Sequence, residues 1–291
     1  MKINPADFRV KEGDEFGLSA LPTMIDPFYK SNKDYRKHLE LDVEELSDMQ
    51  RKLYADNHWA LLLIFQGMDT SGKDGAISHV LSGINPMGFQ VFSFRQPSAE
   101  ELDHDFLWRT TIRLPERGRI GVFNRSYYEE VLVVRVHPEF LTGQNLPKPY
   151  FDKKQIWQQR YKSIVEHEAH LVRSGTRVLK FFLNISKQEQ ARRLIGRIED
   201  KSKNWKFNAG DLVERKLWGQ YMRAYEECIA KTSTRLAPWY VVPADDKENA
   251  RLIVAKIVKE ELKDMNLKYP KLGGKEHRDL KTMAERLKSE K

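Results

Sequence analysis

The sequence predicts an α/β fold: a central parallel sheet of five strands flanked by helices. Three observations predict it. ALLLIF, residues 60–65, is a continuous apolar run, the pattern of a parallel strand buried on both faces. A glycine-rich turn and a helical pattern follow it at once, giving a strand–loop–helix unit. Further short apolar runs then alternate with helical patterns, which is how layered α/β domains are written in sequence.

Each element has its own signal. In residues 34–57, Leu39, Val43, Leu46, Met49 and Leu53 recur at helical spacing, so residues 1–58 read as an N-terminal helical extension. The first strand, 60–65, opens the main domain, residues 59–268, and the helix after Gly72 runs to about Gly83. QVFSF, residues 90–94, is the second strand. SAEE, residues 98–101, is a capping box that opens a helix ending before Pro115. RIGVFN, 119–124, is the third strand and VLKFFLN, 178–184, the fourth. SKQE, residues 186–189, reads as another capping box, heading a helix to about Asp200. WYVVP, 239–243, is the fifth strand, with a helix after it from about Asp246 to Lys268. Residues 269–291 form a polar, lysine-rich tail.

Composition bounds the function. The 291 residues are 40% hydrophobic and 11% aromatic, enough for a substantial core. One cysteine, Cys228, excludes an internal disulfide framework and fits a reducing, cytoplasmic setting. No apolar run approaches the roughly 18 residues of a membrane span, and no signal pattern opens the chain. A net charge of +8 calls for a polyanionic partner without saying which.

The chemistry concentrates in FQGMDTSGKDG, residues 65–75. Gly67, Met68, Asp69, Thr70, Ser71, Gly72 and Lys73 match the phosphate-binding loop G-x-x-x-x-G-K. Backbone N–H groups of such a turn cradle phosphate at a helix N-terminus, and the lysine neutralises it. Asp74 stands where a Ser or Thr should follow, and Asp69 adds a carboxylate inside the loop. Two carboxylates beside phosphate require cations. Asp74 also suits a helix start, which favours negative charge; Asp69 has no such role.

Asn124 and Arg125 sit at the carboxyl end of the third strand, the edge where open α/β sheets place ligands. A phosphate-loop enzyme typically has a metal-holding Asp there. Asn124 reads equally as a turn residue, whereas Arg125 reads as a phosphate clamp. In the helix before Asp200, Ala191, Leu194, Ile195 and Ile198 form an apolar stripe, while Arg193, Arg197 and Lys201 share another face. Three cations in a row repel one another and suit a bound polyanion, against the alternative of a solvated face. In NWKFNAGD, 204–211, two aromatics flank Lys206, and Asn208 or Asp211 can cap the next helix.

GMDTSGKDG, NPMGF (85–89), FLWR (106–109), FNRSYYEEVL (123–132) and RRLIGRIEDKSKNWKF (192–207), in this order, resemble the polyphosphate kinase 2 family across residues 61–242. The resemblance implies a phosphate-loop kinase fold similar to thymidylate kinase, with a mobile lid at about 137–154. It also implies phosphoryl transfer between inorganic polyphosphate and nucleotides with Mg2+ as cofactor. Asp69, Lys73 and Arg125 would be catalytic. Asp69, Asp74, Asn124 and Glu129 would be metal ligands, and Arg125, Glu129, Arg193, Arg197, Lys201 and Lys206 would line the polyphosphate and nucleotide path. Asn124 followed by Glu129, where many members carry Asp and Asn, resembles the class III subgroup that accepts both AMP and ADP. Expected partners are polyphosphate and adenine nucleotides, with guanine as a second base, in a homodimer or homotetramer without nucleic acid or membrane. The rival readings are an ADP-only or AMP-only polyphosphate phosphotransferase, an ATP-dependent nucleotide kinase and, more distantly, a nucleic-acid-binding protein.

Overall fold

The computed structural model describes residues 3–13, 16–150, 155–206 and 208–290. Six strands form one sheet: β1 Arg9–Val10, β2 Ala60–Gln66, β3 Phe89–Ser93, β4 Ile120–Asn124, β5 Thr176–Asn184 and β6 Trp239–Pro243. Their order is β1-β6-β5-β2-β4-β3. The five expected strands are all present and mutually parallel. The sixth, β1, pairs antiparallel with β6 on the outer edge and was not expected. Two residues are too few for a periodicity signal.

The helices are α1 Asn32–Asp56, α2 Lys73–Val80, α3 Ala99–Asp103, α4 Trp108–Thr111, α5 Val133–Val136, α6 Ile156–Arg173, α7 Lys187–Glu199, α8 Gly210–Lys216, α9 Trp218–Thr232, α10 Lys247–Asp264 and α11 Gly274–Ser289. On one face of the sheet α10 packs against α1 and α2; α6, α9 and α5 pack together on the other. The capping box at Ser98 forms, but its helix stops at Asp103 and restarts as α4. At the head of α7 only half of the second box forms: Ser186 accepts from the Glu189 N–H at 3.0 Å. The Glu189 carboxylate turns instead to Arg192 and Arg193.

β2 is the central strand. Leu61, Leu62, Leu63 and Ile64 are all fully buried, so both faces of the strand are covered, each side chain contributing about 2 kcal/mol. The N-terminal residues are less helical than expected before Ser31. Phe8, Val10 and Leu18 join the same core as the sheet, and α1 adds Leu46 and Leu53. The expected lid is a run of tight turns, Pro138–Gln144 and Lys148–Tyr150, with residues 151–154 outside the described residues. Among the described residues, no helix is long and apolar enough to cross a membrane.

The parallel order places a topological switch point at the carboxyl end of β2. From there the chain runs first to β3 and β4 on one side, then to β5 and β6 on the other. Loops at such a point diverge and leave a crevice for a ligand.

Candidate active site

The phosphate loop fills that crevice. Gly67 takes φ +151°, and a Cβ there would lie 2.7 Å from Ser71 Oγ and 3.0 Å from the Leu183 carbonyl. Gly72, at φ +103°, caps α2 and turns the chain into its first helical residue, Lys73. Thr70 is left-handed without being glycine, at φ +63°. Strain of this kind persists only where neighbours hold it. Here the neighbours are Gln190, donating to the Asp69 carbonyl at 3.2 Å, and Arg193, donating to the carbonyls of Thr70 and Ser71 at 3.0 and 2.9 Å.

Lys73 is buried, and its Nζ donates to the Gly67 and Met68 carbonyls at 2.7 and 3.3 Å. Burial, aided by the positive charge of Arg125, pulls its pKa down to about 8 against the opposing charges of Asp69, Glu129 and Asp74. At neutral pH most of the lysine still carries its charge, and a bound polyanion would hold that proton more firmly.

Asp69 and Glu129 are tied together by one guanidinium. Arg125 Nη2 donates to Asp69 at 2.6 Å and Nη1 to Glu129 at 3.4 Å. The charge of Glu129, foremost, raises the Arg125 pKa further, outweighing its burial. Arg125 is itself left-handed, at φ +64°. Asn124 at the end of β4 donates to the Asp74 carboxylate at 2.7 Å. The residues predicted at the loop and at the end of the third strand thus converge into one charged cluster.

The α7 cations divide. Arg193 is buried and spends all five N–H bonds inside the protein, on Glu189, Thr70, Ser71, Ala244 and Asp245. It braces the loop from beneath instead of lining an open groove. Arg197 pairs with Asp211 at 3.2 Å, and Lys201 lies exposed in the turn beyond α7. The side chain of Lys206 lies outside the described residues, as does Phe207. The predicted apolar stripe is displaced. Leu194 is buried, but Ile195 and Ile198 are 53% and 46% exposed, because α7 turns its Gln190–Arg193 face to the loop.

Sequence reasoning passed over several residues here. Asp211 had only a capping role, yet its carboxyl pKa is raised, by burial and then by the negative charge of Asp69, which places the start of α8 within electrostatic reach of the site. Gln190, which links Asp69 to Arg215, had no sequence signal at all. Lys180, a lysine inside the apolar run of β5, was read only as part of that strand, although it is fully buried.

Among the described residues, no three His, Cys, Asp or Glu side chains converge into a protein-only metal cage. The oxygens of Asp69, Asp74, Asn124 and Glu129 are nevertheless hard donors, and Mg2+ characteristically takes only one or two carboxylates together with substrate phosphates and water. The donor set fits such an ion.

The family model described as Polyphosphate kinase 2 (PPK2) matches residues 29–270. A relative from Rhodopseudomonas palustris, ADP-polyphosphate phosphotransferase, is 55% identical over 287 residues, 99% of each chain. The AMP/ADP-polyphosphate phosphotransferase of Meiothermus ruber is 44% identical over 77% of this chain and 80% of its own. The crystal structure of polyphosphate kinase 2 from Arthrobacter aurescens superimposes with a TM-score of 0.85 at 40% identity, covering 96% of this chain and 97% of that one. With a phosphate loop at the switch point, two acidic side chains braced on Arg125 and these similarities, the chain belongs to the polyphosphate kinase 2 family.

Proposed function

We propose that this enzyme transfers phosphoryl groups reversibly from inorganic polyphosphate to AMP and ADP, giving ADP and ATP. The observation that carries this reading is the Asp69–Arg125–Glu129 bridge standing over Lys73 and the phosphate loop. In the reaction a nucleotide phosphate oxygen attacks the terminal phosphorus of the chain, the phosphoanhydride bond breaks, and polyphosphate leaves one unit shorter. The attacking oxygen is already ionised near neutral pH, so no strong general base is required. Repulsion between two polyanions is the barrier to overcome. Lys73 and Arg125 neutralise the transferring group, and the loop N–H groups orient it. Mg2+ is the proposed cofactor, held by Asp69 and Asp74 with Asn124 and Glu129 beside them, and it would supply further charge neutralisation. Arg197 and Lys201 extend positive charge along the donor path, while Arg193 shapes the loop.

The 44% identity to a protein named for both acceptors supports the dual reading. A second reading, ADP as the only acceptor, is favoured by the 55% identity to a protein named for ADP. Purified enzyme given AMP, polyphosphate and Mg2+, free of adenylate kinase, distinguishes them. Dual acceptance yields ADP and then ATP. No product from AMP, with ATP formed from ADP, leaves the second reading. No product from either acceptor overturns the proposal. We also place the enzyme in the cytoplasm as a homodimer or homotetramer, with residues 137–154 as a lid that closes on substrate.

A further inference from the structure

A polar cluster distinct from the phosphate loop lies completely inside the protein. Lys180 on β5 and Glu168 on α6 are 0% and 1% exposed, with Nζ 2.6 Å from Oε2. Tyr127 and Tyr128 both donate to the other Glu168 oxygen at 2.8 Å. Lys180 also donates to the Tyr128 hydroxyl at 3.0 Å and to the Thr232 carbonyl at 2.7 Å. Burial drives both tyrosine pKa values well above their ordinary value and pulls that of Lys180 down. Stability alone gives a weak account of such a pair, because well-packed apolar residues often replace buried ion pairs without loss.

The tyrosines belong to the turn that leaves β4. Two residues before Tyr127 is Arg125, left-handed at φ +64°; one residue after Tyr128 is Glu129. Ser126 between them accepts from Gln66 and from the Tyr128 N–H, both at 3.2 Å, and the Arg125 N–H donates to the Phe65 carbonyl at 3.0 Å. The next residue, Glu130, is buried against Arg160 at 2.9 Å and Gln144 at 2.8 Å. A strained turn that must aim two site residues is thus bolted to the interior through two phenol hydroxyls.

We propose that Glu168 and Lys180 are positioning residues: through Tyr127 and Tyr128 they fix the turn that aims Arg125 and Glu129 at the phosphate loop. The inference rests on the phosphotransfer reading above. Every acceptor and donor of the cluster is satisfied in one arrangement, so removing the hydroxyls frees the turn without emptying the core.

The test uses Tyr127→Phe, Tyr128→Phe and the double variant, in the parent and in an Arg125→Lys background. Thermal unfolding is followed beside initial rates over polyphosphate and nucleotide concentration, at a temperature where every protein is fully folded. Parent activity with polyphosphate is measured first; its absence would defeat the functional reading, not this inference. With an active parent, the double variant is expected to lose about 10- to 100-fold in kcat, the scale of a misplaced catalytic group. The same pair of changes in Arg125→Lys should cost several-fold less than in the parent, since one of the two groups they aim, the guanidinium fork, is already gone while Glu129 remains. A lowered unfolding midpoint with kcat within about twofold of the parent would overturn the proposal, as would equal losses in both backgrounds. Should the double variant fail to fold, the single variants decide: each loses one hydroxyl and should lower kcat at least about threefold, and unchanged kcat in both overturns the proposal.

Discussion

Lys73 and Asp69 meet in the loop but do different work. The lysine's ammonium is already aimed inward at loop carbonyls, and the Asp69 carboxylate is locked to Arg125. Lys73→Ala and Asp69→Ala should therefore each lower transfer at least about 100-fold, as for loss of a group that stabilises transition-state charge. Circular dichroism should be unchanged, and near-parent turnover in either folded variant would contradict the assignment. Arg193 and Arg197, neighbours on α7, should part company. Arg193→Ala leaves Glu189 with Arg192 as its remaining cation and deprives four carbonyls of their donor, and urea unfolding should show a loss of about 3 kcal/mol. Arg197→Ala removes a partly buried ion pair and should cost less stability than Arg193→Ala while raising the KM for polyphosphate more than that for nucleotide.

Elements transmit these positions. The turn segment beginning at Pro138 is moored by His137, whose Nε2 meets Glu214 at 2.9 Å and whose Nδ1 meets Glu139 at 3.2 Å. Tyr221 donates to the same Glu214 oxygen, and Phe140 stacks on the ring at 5.4 Å. Burial alone would lower the His137 pKa, but the two glutamates outweigh it and raise it. A raised pKa means that the folded state holds the proton more tightly than the unfolded chain. The stabilisation is complete below the unfolded value of roughly 6.5 and disappears as pH rises through the folded value. His137→Gln should accordingly lower the unfolding midpoint more at about pH 5.5 than at about pH 8.5. An equal loss at both would exclude the charged latch. The loop before α2 has a steric requirement of its own. Gly67→Ala drives a methyl into Ser71 and the Leu183 carbonyl, so activity should fall sharply even where the protein still folds.

At the scale of the whole molecule, the two termini contribute unequally. Residues 5–10 bury Phe8 and Val10 and complete the sheet edge beside β6. By contrast, α11 has no buried residue. Removing residues 1–13 should lower the unfolding midpoint by several degrees, since two core side chains worth about 2 kcal/mol each are lost and an edge is exposed. Ending the chain at residue 273 should leave both the midpoint and the polyphosphate-dependent rate near those of the full chain. A truncation series read by differential scanning calorimetry checks both.

The alternation of apolar runs and helical patterns determined the five parallel strands, because a strand buried on both faces must be apolar along its whole length. The phosphate loop was legible for an equally local reason: its glycines, lysine and aspartates lie within eight residues and carry their chemistry in their order. What joins distant segments was decided only by the tertiary structure. The Arg125 bridge from Asp69 to Glu129 depends on β2 and β4 lying side by side with Phe65 opposite Asn124. Arg193 looked like one of a surface row because spacing alone cannot say which helix face meets the loop. The two-residue strand β1 was too short to carry a pattern, and only the open edge of β6 gave it a partner. Lys180 was read only as part of an apolar strand, and its reason to be there, Glu168 and two tyrosine hydroxyls, comes from a helix and a turn brought together across the folded core.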